Sequence, residues 1–236
     1  MDQSISVIIP TLNEERHIGR LLDSLAPQLS KNDEIVVVDS FSKDRTRQIA
    51  RKRRCRIVLV PARGIAAAKN AGARKAHGNI LAFLDADSVV SRGWINKIKR
   101  HFSQGDSKAV AGMDLYTAKD GNSEKLYNAY SKLVFYIAVI YYRLGGKPWL
   151  PANNCAIQRS LFFDIGGYAN VLCEDAELMR RWPRKAAVRY DSSMIVSLSD
   201  RRFEKYGFFR TVLLWIISDI NAWRGAGSDA RNYARI

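Results

Sequence analysis

The strongest constraint on this chain is the way its hydrophobic pattern alternates in period through Leu84. Ile5-Ser6-Val7-Ile8-Ile9 is a short β-rich run closed by Pro10. Residues 14–25 then set Ile18, Leu21, Leu22 and Leu25 at helical spacing. Residues 34–39 form a continuous apolar strand with an acidic end. Residues 42–54 read as a helix with Ser42 as its N-cap. Residues 56–60 are a strand stopped by Pro61, residues 66–77 an Ala-rich helix, and residues 79–84 another buried strand. Strands this apolar need cover on both faces, which helices between them supply. The order predicts an α/β fold with a largely parallel, doubly covered sheet. Ligands of such sheets bind beyond the carboxyl ends of the strands.

The second half is less regular. Residues 108–116 read as a strand and 123–144 as a helix with an apolar centre. Residues 151–159 are a loop or strand and 173–182 a short helix. Residues 187–198 are one or two strands, and 203–223 a final helix before a polar Gly/Ser/Arg tail.

Composition removes several function classes. With 47% hydrophobic and 26% charged residues the chain can bury a core, so it is not a disordered polar chain. Three cysteines cannot staple a disulfide framework. No secretory signal is read at the N-terminus, because the apolar stretch 5–10 is short and follows Asp2. A reducing, cytoplasmic setting is the expectation. The net charge of +15 suits nucleic acid, an anionic membrane or phosphorylated substrates. Its densest run, Arg51, Lys52, Arg53, Arg54 and Arg56, reads most simply as a solvated helix end.

The chemistry gathers at the strand ends. Thr11 and Asn13 follow the first strand, Asp39 and Ser40 the second, and Asp85-Ala86-Asp87 the fourth. Two close carboxylates repel unless a cation lies between them. A hard cation, Mn2+ or Mg2+, binds few carboxylates and keeps sites for phosphate oxygens. The competing reading makes Asp87 a helix cap and Asp85 a solvated side chain. Glu174-Asp175 is a second acidic pair, just ahead of a short helix. It is either a dipole-stabilising cap or a general base for an acceptor hydroxyl.

Val7-Ile8-Ile9-Pro10-Thr11-Leu12-Asn13-Glu14-Glu15 resembles the opening of family 2 glycosyltransferases of the GT-A fold. So does Ile35-Val36-Val37-Val38-Asp39-Ser40-Phe41-Ser42-Lys43-Asp44-Arg45-Thr46. Ala66-Ala67-Ala68-Lys69-Asn70-Ala71-Gly72, Gly78 and Asp85-Ala86-Asp87 are similar to the rest of the family's nucleotide-sugar half. Gly166-Gly167-Tyr168 and Glu174-Asp175 are similar to its acceptor half. The blocks stand in family order over about residues 5–182.

The resemblance implies a Rossmann-like GT-A domain over residues 1–202. Residues 1–115 would bind the nucleotide sugar and 116–202 the acceptor, with an amphipathic helix and tail over 203–236. It implies that Pro10, Thr11 and Glu14 line a nucleotide pocket and that Asp39 meets the base or ribose. Arg63 and Lys69 would lie near the sugar or diphosphate. Asp85 would contact the nucleotide, and Asp87 with Asp85 would hold the metal. Asp175 would be the base of an inverting displacement that uses a UDP- or GDP-linked sugar. Arg201 and Arg202, after the last strand, are candidates for a diphosphate clamp, or simply an exposed helix start. Two departures stand out. Many relatives carry a metal-binding His near the last strand, where this chain has Val196-Ser197-Leu198-Ser199-Asp200; Asp200 is the candidate substitute. Processive relatives carry Gln-x-x-Arg-Trp, where this chain has Leu178-Met179-Arg180-Arg181-Trp182, which points to addition of a single sugar.

Leu133 to Tyr142 are ten consecutive apolar or aromatic residues between Lys132 and Arg143. A spanning helix needs about 20. Tyr127, Tyr130, Tyr136, Tyr141 and Tyr142 suit headgroup depth. Phe208, Phe209, Val212, Leu213, Leu214, Trp215, Ile216 and Ile217, with Lys205, Arg210 and Arg224, repeat the pattern. Two such helices fit a protein lying on a membrane, at its cytoplasmic face, or cover for the sheet, or a dimer contact. A lipid acceptor, a polyprenyl phosphate among them, or a glycan then becomes the expectation. The rival enzyme, a nucleotidyltransferase, would need a Gly-rich basic loop where Pro10 to Glu15 is acidic. A nucleic-acid-binding module would need aromatics interleaved with its basic stripe, and here they lie in apolar runs, so no nucleic acid is expected.

Overall fold

The computed structural model describes residues 3–105 and 107–224; the expected polar tail lies outside them. The first half follows the periodicity. β1 (Ile5–Thr11), α1 (Ile18–Leu25), β2 (Glu34–Asp39), α2 (Thr46–Lys52), β3 (Arg56–Leu59), α3 (Ile65–Lys75) and β4 (Ile80–Leu84) appear in order. β5 (Val89–Val90) and α4 (Trp94–Ser103) follow, then β6 (Ser107–Thr117) and the long α5 (Gly121–Arg143). β7 (Asn154–Gln158), α6 (Arg159–Asp164), α7 (Glu174–Arg181), β8 (Ala187–Ser199), α8 (Arg201–Tyr206) and α9 (Phe208–Trp223) complete the described chain.

One sheet of order β3-β2-β1-β4-β7-β6-β8-β5 runs through the molecule. Period-2 alternation divides its core between two faces. Ile8, Val36, Val38, Leu81 and Phe83 pack with α3 and α7 on one side. Val7, Ile9, Ile35, Val37, Ala82 and Leu84 pack with α1 and α4 on the other. This is the double cover that continuous apolar strands demand.

The structure corrects several expectations. β1–β4 are mutually parallel in the pairs they form, but β7 runs against both β4 and β6, so the sheet is mixed. Leu84 pairs with Asn154 and Ala111 with Cys155, so the excursion through α5 leaves and re-enters at the carboxyl edge of β4 and β6. That excursion therefore walls the edge where ligands bind. Residues 187–199 form a single strand, with a register shift where Gly112 and Met113 face it. Ser42 does not cap α2, which starts at Thr46. Its Oγ lies 2.5 Å from Asp39 Oδ2 and its N–H donates to Asp39 Oδ1 at 2.9 Å, because the fully buried Asp39 carboxylate requires donors. The final helix is two helices, broken at Gly207 (φ 80°), a left-handed stop closed by its N–H on Phe203 O.

Asn154 ties the second half together. Its buried amide accepts from Trp94 Nε1 (3.0 Å) and donates to Met113 O (3.1 Å) and Met194 O (3.2 Å). Gly112 lies against this knot; a Cβ there would sit 2.1 Å from Met194 O and 2.6 Å from the Asn154 amide. Gly112→Ala is therefore expected to destabilise the protein by about 1–3 kcal/mol, lowering Tm by roughly 3–10 °C in a calorimetric scan.

Candidate active site

The site is built on the carboxyl ends of β1, β2 and β4. The loops after β1 and β2 are sewn together. Asn13 N–H donates to Ser42 Oγ (2.9 Å), Glu14 N–H to Thr46 Oγ1 (2.8 Å), and Lys43 N–H to Asn13 Oδ1 (2.8 Å). Asn13 (φ 57°) and Phe41 (φ 59°) turn left-handed to allow it. Beneath them Asp39 accepts from Thr11 Oγ1 (3.1 Å) and from Ser42, with Arg47 Nε at 3.6 Å. Pro10, Thr11 and Asp39 thus form the floor of the loop pair. Arg63 is exposed on the loop before α3.

α3 brings Lys69 over the β4 end. Its ammonium is 1% exposed and lies 3.5 Å from Asp85 Oδ1 and 3.2 Å from Glu174 Oε1. Burial works against its charge, but the Asp85 and Glu174 carboxylates outweigh burial and hold the pKa above the usual lysine value. One buried cation therefore joins the two acidic pairs that the sequence placed 89 positions apart, Asp85 and Glu174.

Beyond Lys69 lies a cavity of about 620 Å³. Asp85, Asp87, Glu174 and Asp175 face it, with Arg201 and Arg202 at one side. Arg201 bridges Asp87 Oδ2 (Nε at 3.0 Å) and the Glu14 carboxylate (Nη atoms at 3.1 Å). Burial and the neighbouring Asp85 push Asp87 up to about 6, against the pull of Arg201. Arg202 stacks its guanidinium 5.9 Å from the Trp215 ring centre. Asp200 does not join the Asp85–Asp87 pair. It sits outside the cavity lining, with Glu204, Lys119 and Glu124 as its charged neighbours, because α8 begins at Arg201 and turns that residue inward instead.

The Asp85–Asp87 pair fits a hard divalent cation. Asp85 Oδ1 is buried and, although the Lys69 ammonium lies 3.5 Å away, accepts no hydrogen bond, and Asp87 is destabilised as an anion by burial and by Asp85. A cation would relieve both conditions.

At the opposite wall, Asp175 Oδ1 accepts the Ala176 N–H (2.9 Å). Burial, Glu174 and Asp219 push Asp175 up to about 7, in the range where a carboxylate works as a base near neutral pH. The residue before the pair, Cys173, is left-handed (φ 56°) at the N-terminus of α7 and swings both acids toward the cavity.

Two groups escaped the sequence reading. Asp114, on β6, lines the cavity, accepts from Asn153 Nδ2 (3.0 Å) and leaves Oδ1 buried without a donor. Its position near the end of the expected strand 108–116 was the available signal. Asp219, on α9, also lines the cavity. A lone carboxylate in the run Trp215-Ile216-Ile217-Ser218-Asp219-Ile220 was its signal.

The sequence model of the family described as Glycosyl transferase family 2 matches residues 6–174. Glycosyltransferase AglE of Haloferax volcanii is 25% identical over 191 residues, covering 77% of this chain and 60% of its own. Among solved structures, a mannosyltransferase, PcManGT, of Pyrobaculum calidifontis in complex with GDP-Man and Mn2+ superposes with a TM-score of 0.66 at 23% identity. That match covers 84% of this chain and 57% of the other. Glucosyl-3-phosphoglycerate synthase of Mycobacterium tuberculosis, with Mn2+, UDP and phosphoglyceric acid, superposes with a TM-score of 0.68 at 20% identity, covering 96% and 80%. The chain thus spans 60% of the curated relative's length. Both solved structures share the GT-A architecture seen here.

Asp114 carries a titration that can be measured. Burial pushes its carboxyl up to about 7 from the usual 3.8, with the Asn153 amide pulling the other way. The folded state then binds a proton that the unfolded state has released, so stability falls as pH rises from about 4 to about 7. Asp114→Asn removes that loss. Its Tm is expected to exceed wild type by several degrees at pH 8, on the order of 1–3 kcal/mol, with the gap closing below about pH 4. Parallel Tm–pH curves for the two proteins would show the assignment to be wrong.

Proposed function

The chain belongs to glycosyl transferase family 2, and on that footing we propose that it is a metal-dependent, inverting enzyme. It moves one sugar from a UDP- or GDP-linked donor to a lipid acceptor, such as a polyprenyl phosphate, at a membrane surface. The observation that carries the reading is the placement of Asp85–Asp87 and Asp175 on one cavity, joined through buried Lys69.

The chain's residues divide the work. Glu14, with Pro10, Thr11 and Asp39 beneath it, shapes the nucleotide side, and Arg63 approaches from the rim. Asp85 and Asp87 are the holders of Mn2+ or Mg2+, which supplies Lewis-acid neutralisation of the diphosphate when bound. The GDP-Man and UDP complexes of the two structural neighbours, both with Mn2+, support this donor class. Arg201 and Arg202 face the same side and are placed to take the charge that builds on the leaving diphosphate. With a hydroxyl acceptor, the acceptor oxygen bonds to the anomeric carbon while its proton passes to an Asp175 oxygen. The bond from that carbon to the diphosphate breaks on the opposite face, and its electron pair leaves with the nucleotide. An ionised phosphate acceptor carries no such proton, and Asp175 then orients it.

A lipid acceptor is supported by the helices around the cavity. α5 buries only Tyr127 and Phe135 among its residues, and α9 only Thr211 and Ala222. Leu133, Tyr136, Ile137 and Ile140 of α5, with Leu144 just past its end, form one exposed stripe at helical spacing, and Phe209, Leu213, Ile216, Ile217 and Ile220 another on α9. Tyr130 and Val134 of α5, with Leu214 and Trp215 of α9, form the cavity wall between them. Lys132, Arg143 and Arg210 are exposed beside the stripes. An apolar face of this kind with basic flanks matches an anionic bilayer. No helix among the described residues is long and apolar enough to cross a membrane. The reading places the protein at the cytoplasmic face.

Two measurements test it. Asp175→Asn is expected to cut transfer to a hydroxyl acceptor by roughly 100-fold or more while only weakening transfer to a phosphate; near-normal rates with the hydroxyl acceptor would remove Asp175 as base. In sedimentation with phosphatidylglycerol-containing liposomes, the protein is expected in the pellet at low salt, and Leu213→Glu with Ile217→Glu in the supernatant. Wild-type protein left in the supernatant at low salt would count against the membrane.

A further inference from the structure

The family match ends at residue 174, yet α9, well beyond it, sends a side chain into the acceptor wall. That side chain is Asp219. The Cys173 thiol, an Asp175 oxygen and an Asp219 oxygen all lie within 4.8 Å of one another. The thiol thus sits beside the Asp219 carboxylate. Burial and the two carboxylates keep this thiol protonated, so the three groups form a compact cluster of one neutral thiol and two carboxyl groups.

We propose that Asp219 is a positioning residue for Asp175: α9 supplies the second carboxyl of the acceptor-side base, and the base is complete only when α9 is seated. The proposal rests on the glycosyl-transfer reading for its use and on the cluster geometry for its existence. α9 carries three functions on one short helix. Its outer stripe is exposed and apolar, its Thr211 and Ala222 are buried, and Leu214, Trp215 and Asp219 face the cavity. Tyr130 of α5 faces Asp219 from across the cavity, and its hydroxyl is pushed up by burial and by that carboxylate.

The groups around Asp175 can be named from every side. Glu174 precedes it on α7. Lys69 reaches it from α3, Cys155 from β7 and Tyr168 from the loop before α7, with Cys173 and Asp219 completing the ring. Lys69 is the one cation among them, and it is already engaged by Asp85 and Glu174. The Asp219 carboxylate adds negative charge beside Asp175, which makes the Asp175 carboxylate a stronger base. In the transfer step the acceptor O–H proton moves to Asp175, the acceptor oxygen bonds to the anomeric carbon, and the diphosphate leaves with its electron pair. Asp219 exchanges no atoms in that step; its charge sets how firmly Asp175 takes the proton.

The test is a carboxyl titration of the full chain labelled with 13C-aspartate, with the Asp175 signal assigned through Asp175→Asn. In wild type the midpoint is expected near 7. In Asp219→Asn, which is isosteric, it is expected to fall by roughly half to one pH unit, and in Asp219→Glu to return toward wild type. An Asp219→Asn midpoint equal to wild type overturns the proposal whatever the enzyme transfers. Rate profiles with UDP-N-acetylglucosamine and GDP-mannose form the second arm. Their acid limb should move down with the midpoint, and the rate at pH 8 should fall roughly 3- to 10-fold. A loss of rate with an unmoved limb would mark Asp219 as structural only and overturn the proposal. A shifted midpoint in a protein that transfers from neither donor upholds the pairing and sinks the transfer reading instead.

Discussion

The architecture of the site depends on one buried ammonium. Lys69 is out of water, and an isolated charge there would cost several kcal/mol. It remains charged because Asp85 and Glu174 meet it from opposite sides. The requirement reaches back into the fold. α3 must lie close against the sheet to deliver Lys69 to the β4 end, and Gly72 permits this. A Cβ at Gly72 would come within 2.6 Å of Val38 and 2.7 Å of Ile8. The requirement also reaches forward, since α7 must present Glu174 at that point, which sets Asp175 beside it. Asp85 and the Glu174–Asp175 pair are thus registered by a single ion triad rather than by the loops around them.

Charge is handled differently on the two sides of Lys69. On the donor side Arg201 spans Glu14 and Asp87, so acidic groups brought together by two separate segments are partly neutralised by a residue from a third. On the acceptor side, Lys69 is the cation that acts on Asp175 among the described residues. Burial, Glu174 and Asp219 combine to raise Asp175, the condition a general base requires. An acidic pair at a strand end and another at a helix start thus sit in different charge environments, set by their neighbours.

The long helices invert the usual arrangement. An amphipathic helix normally turns its apolar stripe to the core, and here α5 and α9 turn theirs to solvent. What anchors them is an aromatic cluster at the cavity rim. Phe203 lies 4.4 Å from Tyr127 and 5.6 Å from Trp215 between ring centres, and Phe208 lies 5.2 Å from Tyr127. The same two helices thus line the cavity with Tyr130, Val134, Leu214 and Trp215 and expose their apolar stripes.

Much of the fold was legible because it depends on local pattern. Continuous apolar strands required two-sided cover, and the spacing of Ile18, Leu21, Leu22 and Leu25 specified the helix that supplies part of it. The strand ends pointed to Asp39, Asp85 and Asp87, the acidic pair ahead of a helix to Asp175 and the end of the last strand to the two arginines, and the resemblance added Lys69. Reading failed where a side chain's role depends on a distant partner. Ser42 resembles a helix cap, but buried Asp39 claims it. Asp200 and Arg201 are neighbours in sequence, and only the direction in which α8 leaves β8 sends Arg201 to Asp87 and Asp200 away. Asp219 follows β8 by 20 positions and reaches the base only because α9 packs on α7. The sequence by itself determined the alternating strands, their two-faced core and the acidic strand ends, since periodicity and residue chemistry are local. Only the tertiary structure decided which charges meet, because ion pairing and burial act through space and take no account of separation along the chain.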